Sequence, residues 1–305
     1  ASELVRPIRP IMPPSLHLED LSLGRFTNGE LHVELRTSVE GADCAVLGTL
    51  RPPEQHLGEL LLLCDTLRRH GARSIVAVLP YFAYSRQDRI EGLGSLGAAW
   101  IGQLLAASGA TSVLTLDVHS PQAGALCPIP LSSLDAAALF VPALEDRLGA
   151  DVTLVAPDEG AIDRCRRFQA VAGLTRLAHF KKVRTPTGVR SHLVGPVSEH
   201  AVVLDDILDT GGTLIACAQG LRAAGVRQIA VAVTHGLFTG AAWRQLWDLG
   251  VDRIVCTDSV GGPPPPDARV TVVSCAPALS PALRAYAESR PAKPDEPDVP
   301  DVPDV

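Results

Sequence analysis

Short apolar runs alternate with longer helix-patterned stretches along most of this chain, and that rhythm constrains its fold more than any other feature. The runs CAVLGT (44–49), SIVAVLPYF (74–82), SVLTLDV (112–118), VTLVAP (152–157), AVVLDDI (201–207), QIAVAVT (228–234), RIVCTD (253–258) and VTVVS (270–274) lack the apolar–polar alternation of a strand with one wet face. Continuous runs of this kind read as parallel strands buried on both faces. Between them lie helical patterns at 55–70, 96–107, 136–148, 160–172, 213–224, 241–249 and 280–289. In the first of these Leu57, Leu60, Leu61, Cys64 and Leu67 share a face, and Gly71 supplies a stop. The Pro-rich segment CPIPLSSLD (127–135) breaks the rhythm midway. The expectation is an α/β protein of two similar domains, each a mainly parallel sheet flanked by helices. The first spans 1–135 and the second 136–278, with a helix at about 279–290 returning to the first.

Bulk properties narrow the function. With 305 residues, 46% hydrophobic and 20% charged, the chain has room for two cores. No apolar run reaches the length of a membrane span, and the N-terminus lacks a basic-then-apolar signal pattern, so a cytoplasmic protein off the membrane is expected. A net charge of −7 argues against a nucleic-acid surface. The tail KPDEPDVPDVPDV (293–305) sets five acids against one lysine and reads as disorder, as does the whole of 291–305. Seven cysteines are scattered without a CxxC pair and are expected as buried free thiols.

The chemistry is expected at strand ends. In open α/β sheets ligands collect beyond the carboxyl ends of the strands. Four candidate strands end there in polar groups: LPYFAYSRQDR (79–89), TLDVHSPQ (115–122), APDEGA (156–161) and VVLDDILDTGGTL (202–214). In the last, Gly211 and Gly212 turn the chain into a helix, so backbone N–H groups and the helix N-terminus face an anion, with Thr210 and Thr213 adding hydroxyls. Asp205, Asp206 and Asp209 are three acids in five positions. A capped turn explains the glycines and threonines but not the acids, whereas acceptors for sugar hydroxyls at the strand tip do.

VVLDDILDTGGTL resembles the phosphoribosyl-diphosphate motif of the type I phosphoribosyltransferase fold, shared by phosphoribosyltransferases and ribose-phosphate diphosphokinases. FTNGELHVEL (26–35), LPYFAYSRQDR, TLDVHSPQ and APDEGA are similar to diphosphokinase segments, in the same order, from Phe26 to Asp258. The resemblance implies transfer of a diphosphoryl group from ATP to O1 of ribose 5-phosphate, with Mg²⁺ as the metal. It places His119 and Asp158 at the metal, with His119 also at ATP alongside Arg86 and Gln87. It also implies a homo-oligomer in which Phe26, Asn28, Gly29 and Glu30 complete a neighbour's ATP site, with Asn28 standing where Asp is usual.

The segment HFKKVRTPTGVRSHL (179–193) is polar and reads as a mobile loop. Only three of the chain's 27 basic residues are lysines, and two are Lys181 and Lys182 here. The resemblance places a catalytic Lys-x-Arg in this position, matched by Lys182 and Arg184. Two readings of other kinds compete: a catalytically silent regulatory subunit of a synthetase, and a phosphoribosyltransferase, which would leave FTNGE and RQDR unexplained.

Overall fold

A strand that is apolar on both faces needs a covering layer on each side, and here helices supply both. The computed structural model describes residues 21–149, 151–185 and 188–288, with the backbone alone over 182–185 and 188–190. The first half runs β1 (Leu21–Arg25), β2 (Leu31–Leu35), β3 (Asp43–Leu47), α1 (Gln55–Arg69), β4 (Ser74–Val78), α2 (Gly97–Ser108), β5 (Ser112–Leu116), α3 (Pro121–Ala125) and β6 (Leu131–Leu134). The second runs α4 (Ala137–Leu144), β7 (Val152–Ala156), α5 (Ile162–Ala172), β8 (Arg176–Thr185), β9 (Gly188–Val194), β10 (His200–Leu208), α6 (Gly212–Ala223), β11 (Gln228–Gly236), α7 (Gln245–Asp248), β12 (Val251–Thr257), β13 (Val270–Val273) and α8 (Ala276–Glu288).

The fold is α/β, with parallel sheets flanked by helices. One sheet has the order β3-β4-β5-β6, all parallel. One face is covered by Leu57, Leu60 and Leu67 of α1 with Ile101 and Leu105 of α2. Its other face, Val76, Val78, Leu114 and Leu116, packs against Cys275 and Leu279, so α8 lies on this sheet although it follows β13. The Tyr286 hydroxyl of α8 lies 2.6 Å from the Ser74 hydroxyl at the start of β4.

The larger sheet has the order β13-β12-β11-β10-β7-β8-β9. Its core packs on one side against Leu214, Cys217, Ala218 and Leu221 of α6, and on the other against Phe140 and Leu144 of α4 with Cys165 and Phe168 of α5. After β7 the chain moves to one side, through α5 to β8; after β10 it moves to the other, through α6 to β11. The strand order reverses between β7 and β10, which opens a crevice at their carboxyl ends.

Of the segment 179–193, expected as a mobile loop, residues 179–185 lie on β8 and 188–193 on β9. They pair antiparallel, with Lys182 opposite Ser191 and Arg184 opposite Val189. A strand at a sheet edge keeps one side wet, so it can form without the apolar run that marks a central strand. All seven cysteines are free, five of them buried. Among the described residues no helix is long and apolar enough to cross a membrane.

A polar seam joins the two sheets. The Thr234 hydroxyl donates to Asp117 at 2.6 Å. His235 lies 3.2 Å from the Leu116 carbonyl through Nε2 and 2.8 Å from the Ser259 hydroxyl through Nδ1, with the Tyr81 ring centred 4.9 Å away. A carbonyl only accepts, so Nε2 carries the proton and the neutral ring accepts from Ser259 through Nδ1. Burial holds His235 well below its usual range, at about 4. The fold therefore contains neutral His235, while an unfolded chain protonates it below about 6.5. Stability from this source is complete above that pH and falls as the pH drops towards about 4. The full difference is about 3 kcal/mol. Urea unfolding at pH 7, 5.5 and 4.5 should give a shallower pH slope for His235→Gln than for the wild type. An unchanged slope would remove the buried histidine from the account.

Candidate active site

The crevice between β7 and β10 is a cavity of about 670 Å³. Its walls come from the loop after β4 (Arg86, Arg89), the end of β5 (His119, Ser120), the turn after β7 (Asp158–Ala161), α5 (Arg164) and the β10–α6 turn (Asp205–Leu214). Both sheets therefore contribute to one chamber.

Asp205 and Asp206 are buried at the tip of β10, where adjacent strand residues would ordinarily point to opposite faces. Burial alone would push both carboxyls up. For Asp205 it does, aided by the neighbouring Asp206 charge, and the group lies well above the usual carboxylate range. For Asp206 burial is outweighed by the His119 hydrogen bond and the Arg164 charge, which hold it below that range. His119 Nδ1 lies 2.7 Å from Asp206 Oδ2 and ties the end of β5 to the tip of β10. Ser120 caps α3 by accepting from the Ala123 N–H and donates to Asp88 at 2.6 Å.

Beyond β10 the chain turns through Gly211, whose φ is +92° and whose Cβ, if present, would lie 2.9 Å from Trp243 Cα. Only glycine satisfies both conditions. Gly212 has open space where a Cβ would stand. The first N–H groups of α6 have no intrahelical acceptor, and Thr210 and Thr213 flank them on the cavity wall. This is an anion cradle with an acid pair beside it.

Matches to known proteins agree with this arrangement. Residues 4–109 match the model of the N-terminal domain of ribose phosphate pyrophosphokinase, and residues 164–273 that of the phosphoribosyl synthetase-associated domain. A ribose-phosphate pyrophosphokinase of Thermosipho africanus is 34% identical over 273 residues, covering 87% of this chain and 86% of the relative. The chain belongs to the ribose-phosphate pyrophosphokinase family. A second relative so named, from Bradyrhizobium diazoefficiens, is 36% identical over 242 residues, covering 77% and 76%. The crystal structure of phosphoribosylpyrophosphate synthetase from Mycobacterium smegmatis superimposes with a TM-score of 0.81 at 29% identity, covering 90% of this chain and 93% of that one.

Within this pyrophosphokinase chain the residues singled out from sequence fall into three groups. Asp158, His119, Arg86, Asp205, Asp206, Asp209, Thr210, Gly211, Gly212 and Thr213 all line this cavity. Arg86 donates to Asp209 at 2.7 Å, so a residue from each sheet meets across the chamber mouth. Gln87 is not on the wall: its Oε1 accepts from the Ser95 hydroxyl at 2.6 Å, and its backbone carbonyl accepts from the Ala98 N–H. Phe26, Asn28, Gly29 and Glu30 lie on the β1–β2 hairpin, also off the cavity wall. Phe26 is 53% exposed, and Asn28 Oδ1 accepts from the Glu30 N–H at 3.1 Å. The backbone of Lys182 and Arg184 lies on β8. His179 pairs with Ala156, so both positions extend past the end of β7 towards the level of Asp158. Their side chains lie outside the described residues.

Arg164 and Asp117 carry structure that sequence reasoning missed. Arg164 is 8% exposed, between Ala161, Cys165 and Phe168 on the buried face of its helix. That phase was the available signal, an arginine where the helical period calls for an apolar residue. Asp117 is buried at a φ of +34°, and burial raises its carboxyl against the opposing pull of Arg164 and Thr234.

The two glycines make opposite predictions. Gly211→Ala should destabilise the protein by about 2–4 kcal/mol, from left-handed strain plus the Trp243 clash. Gly212→Ala should leave the unfolding midpoint near that of the wild type, because its site is open. Chemical denaturation of both variants checks this. Equal losses would mean the turn is not held as described.

Proposed function

We propose that this chain transfers the diphosphoryl group of ATP to O1 of ribose 5-phosphate, giving 5-phosphoribosyl 1-diphosphate and AMP. The observation that carries the reading is the shared chamber: a helix-N-terminal anion cradle and acid pair from one sheet face arginines and a histidine from the other. Two phosphorylated substrates need such a chamber to meet.

In this reading the N–H groups and hydroxyls of Thr210–Thr213 hold the 5-phosphate. Asp205 and Asp206 accept from the ribose hydroxyls and set the sugar's orientation. Arg86 faces the ATP phosphates once Asp209 releases it, and Gln87 reaches ATP only by leaving Ser95. Attack by O1 forms the O1–Pβ bond as the bond from Pβ to the oxygen shared with Pα breaks. AMP keeps that oxygen, and the proton of O1 passes to solvent. Charge on the moving group needs fixed cations, a point charge from Lys182 and a forked donor set from Arg184.

The donor set also fits Mg²⁺. Among the described residues no three His, Cys, Asp or Glu side chains form a metal cage. Mg²⁺ keeps several waters and binds through one or two protein groups plus substrate phosphates, so a sparse set is suitable. His119, with Nδ1 committed to Asp206 and Nε2 left over, and Asp158 are the residues that would hold it. When bound it would neutralise phosphate charge.

The exposed Phe26 ring and the hairpin that carries it suit a neighbouring subunit's adenine, making the working form a homo-oligomer. The same reading treats 1–135 and 136–278 as two units and the protein as cytoplasmic.

Incubation with ATP, ribose 5-phosphate and Mg²⁺ should yield AMP and a product with the mass of phosphoribosyl diphosphate, and chelation should abolish both. Lys182→Ala should lower kcat by about 100- to 1,000-fold. AMP release independent of ribose 5-phosphate would refute the reaction, and an unaffected variant would refute the role of Lys182. If subunits share sites, mixing inactive Phe26→Ala and Lys182→Ala chains should restore measurable activity. Failure to complement would place the whole ATP site in one chain.

A further inference from the structure

Arg164 is held unlike an ordinary structural arginine. Its side chain is 9% exposed, and its buried Nε has no hydrogen-bond partner. One terminal nitrogen lies 3.9 Å from Asp205 Oδ1 and the other 3.8 Å from Asp206 Oδ2. A locked bidentate salt bridge closes to about 2.7–2.9 Å. Here the fork spans two different carboxylates without closing on either. It acts by charge and leaves carboxylate lone pairs for other donors, while facing the chamber it lines.

Each neighbouring atom has a definite task. Asp206 Oδ2 takes His119, and Asp205 Oδ1 takes the Asp206 N–H at 2.9 Å. Two adjacent carboxyls this deeply buried repel each other and turn apart unless one cation faces both. Asp117, on the facing sheet, is also within the influence of this guanidinium.

We propose that Arg164 is the positioning residue of the acid pair: its guanidinium, spanning both carboxylates, holds Asp205 and Asp206 in the orientation that receives the hydroxyls of the sugar phosphate. This rests on the reading of that pair as the sugar's acceptors. A lysine supplies one point charge and cannot span two carboxylates, so charge alone does not substitute.

Steady-state kinetics of Arg164→Lys and Arg164→Met test it, with each substrate varied in turn. The lysine variant should raise KM for ribose 5-phosphate about tenfold and leave KM for ATP within about twofold. The methionine variant should raise the sugar-phosphate KM further, by about a hundredfold. Methionine fills a buried arginine's volume without a charge, and thermal melting of both variants monitors the fold. In an Asp205→Asn background the added cost of Arg164→Met should shrink to about twofold, because the two residues act as one unit. Equal rises in both Michaelis constants, an unchanged sugar-phosphate KM, or additive effects in the double variant would each overturn the proposal. If one variant does not fold, the other carries the same comparison. A wild-type protein that makes no AMP from the two substrates would refute the reaction itself. An active wild type without the split in Michaelis constants would refute only the role of Arg164.

Discussion

Two neighbouring carboxylates buried at one strand tip are the constraint around which the rest of this structure is arranged. Burying one charge is costly, and burying two of the same sign side by side is more so. The fold offsets this with one guanidinium from α5 and one imidazole from the end of β5. Arg164 comes from the helix after β7, and His119 from the other sheet. Arg164 reaches Asp206 because β10 lies beside β7, and His119 reaches it because the smaller sheet is docked above their carboxyl ends. The acid pair and the topology therefore specify each other: the reversal of strand order makes the crevice, and the partners of the pair come from both of its walls.

The joint between the sheets is correspondingly polar. Asp117 with Thr234, His235 with the Leu116 carbonyl, Arg86 with Asp209, and Arg51 with the Gly261 carbonyl at 2.8 Å are directional contacts. An apolar joint of the same area would tolerate small sliding, since dispersion has no preferred angle. Hydrogen bonds between buried groups do not, because a shift of about 1 Å leaves donors and acceptors unpaired at a cost of about 1–3 kcal/mol each. Directional contacts suit a chamber in which two substrates must meet at bonding distance. The Arg86–Asp209 and Arg51–Gly261 contacts are the exposed ones, so water competes for their partners and they hold the joint less tightly than the buried pairs do.

The central strands and their covering helices were legible in the sequence because burial on both faces writes itself as a continuous apolar run. β5, β7, β10 and β11 fall within about two residues of the runs that predicted them, typical of element boundaries, while β4 ends at Val78, four residues before its run does. The edge strands β3 and β13 were legible too, because they carry apolar runs, but the more polar strands at the other edges were not. β6, β8 and β9 are edge or near-edge strands, and a polar strand beside one neighbour looks like a loop until its partner is known. The helix expected at 241–249 is only a short 3₁₀ turn and then the four-residue α7. Trp243 and Leu246 bury their side chains there without any extended helical face. For the site, the residues on the β10–α6 turn could be read because their spacing is local. Arg164 could not be told from Arg166 and Arg167 by type, and only its phase beside Cys165 and Phe168 marks it as the one of the three that faces inward. Gln87 shows the converse: a motif places it beside Arg86, and a single hydroxyl on Ser95 turns it away.

The position of Lys182 is set by packing well below it. Phe180, two residues earlier on β8, is buried in the core formed with α6, where Gly220 leaves the space its ring fills. A Cβ at Gly220 would lie 2.5 Å from Phe180 Cε1. The root of the β8–β9 hairpin is thus seated against the helix whose first turn forms the anion cradle. The strand then continues past the end of β7, beyond the sheet's apolar cover, so the backbone after Phe180 is fixed in direction by the core but not enclosed by it. If the proposed role of Lys182 holds, that combination brings the residue to the chamber from a defined side.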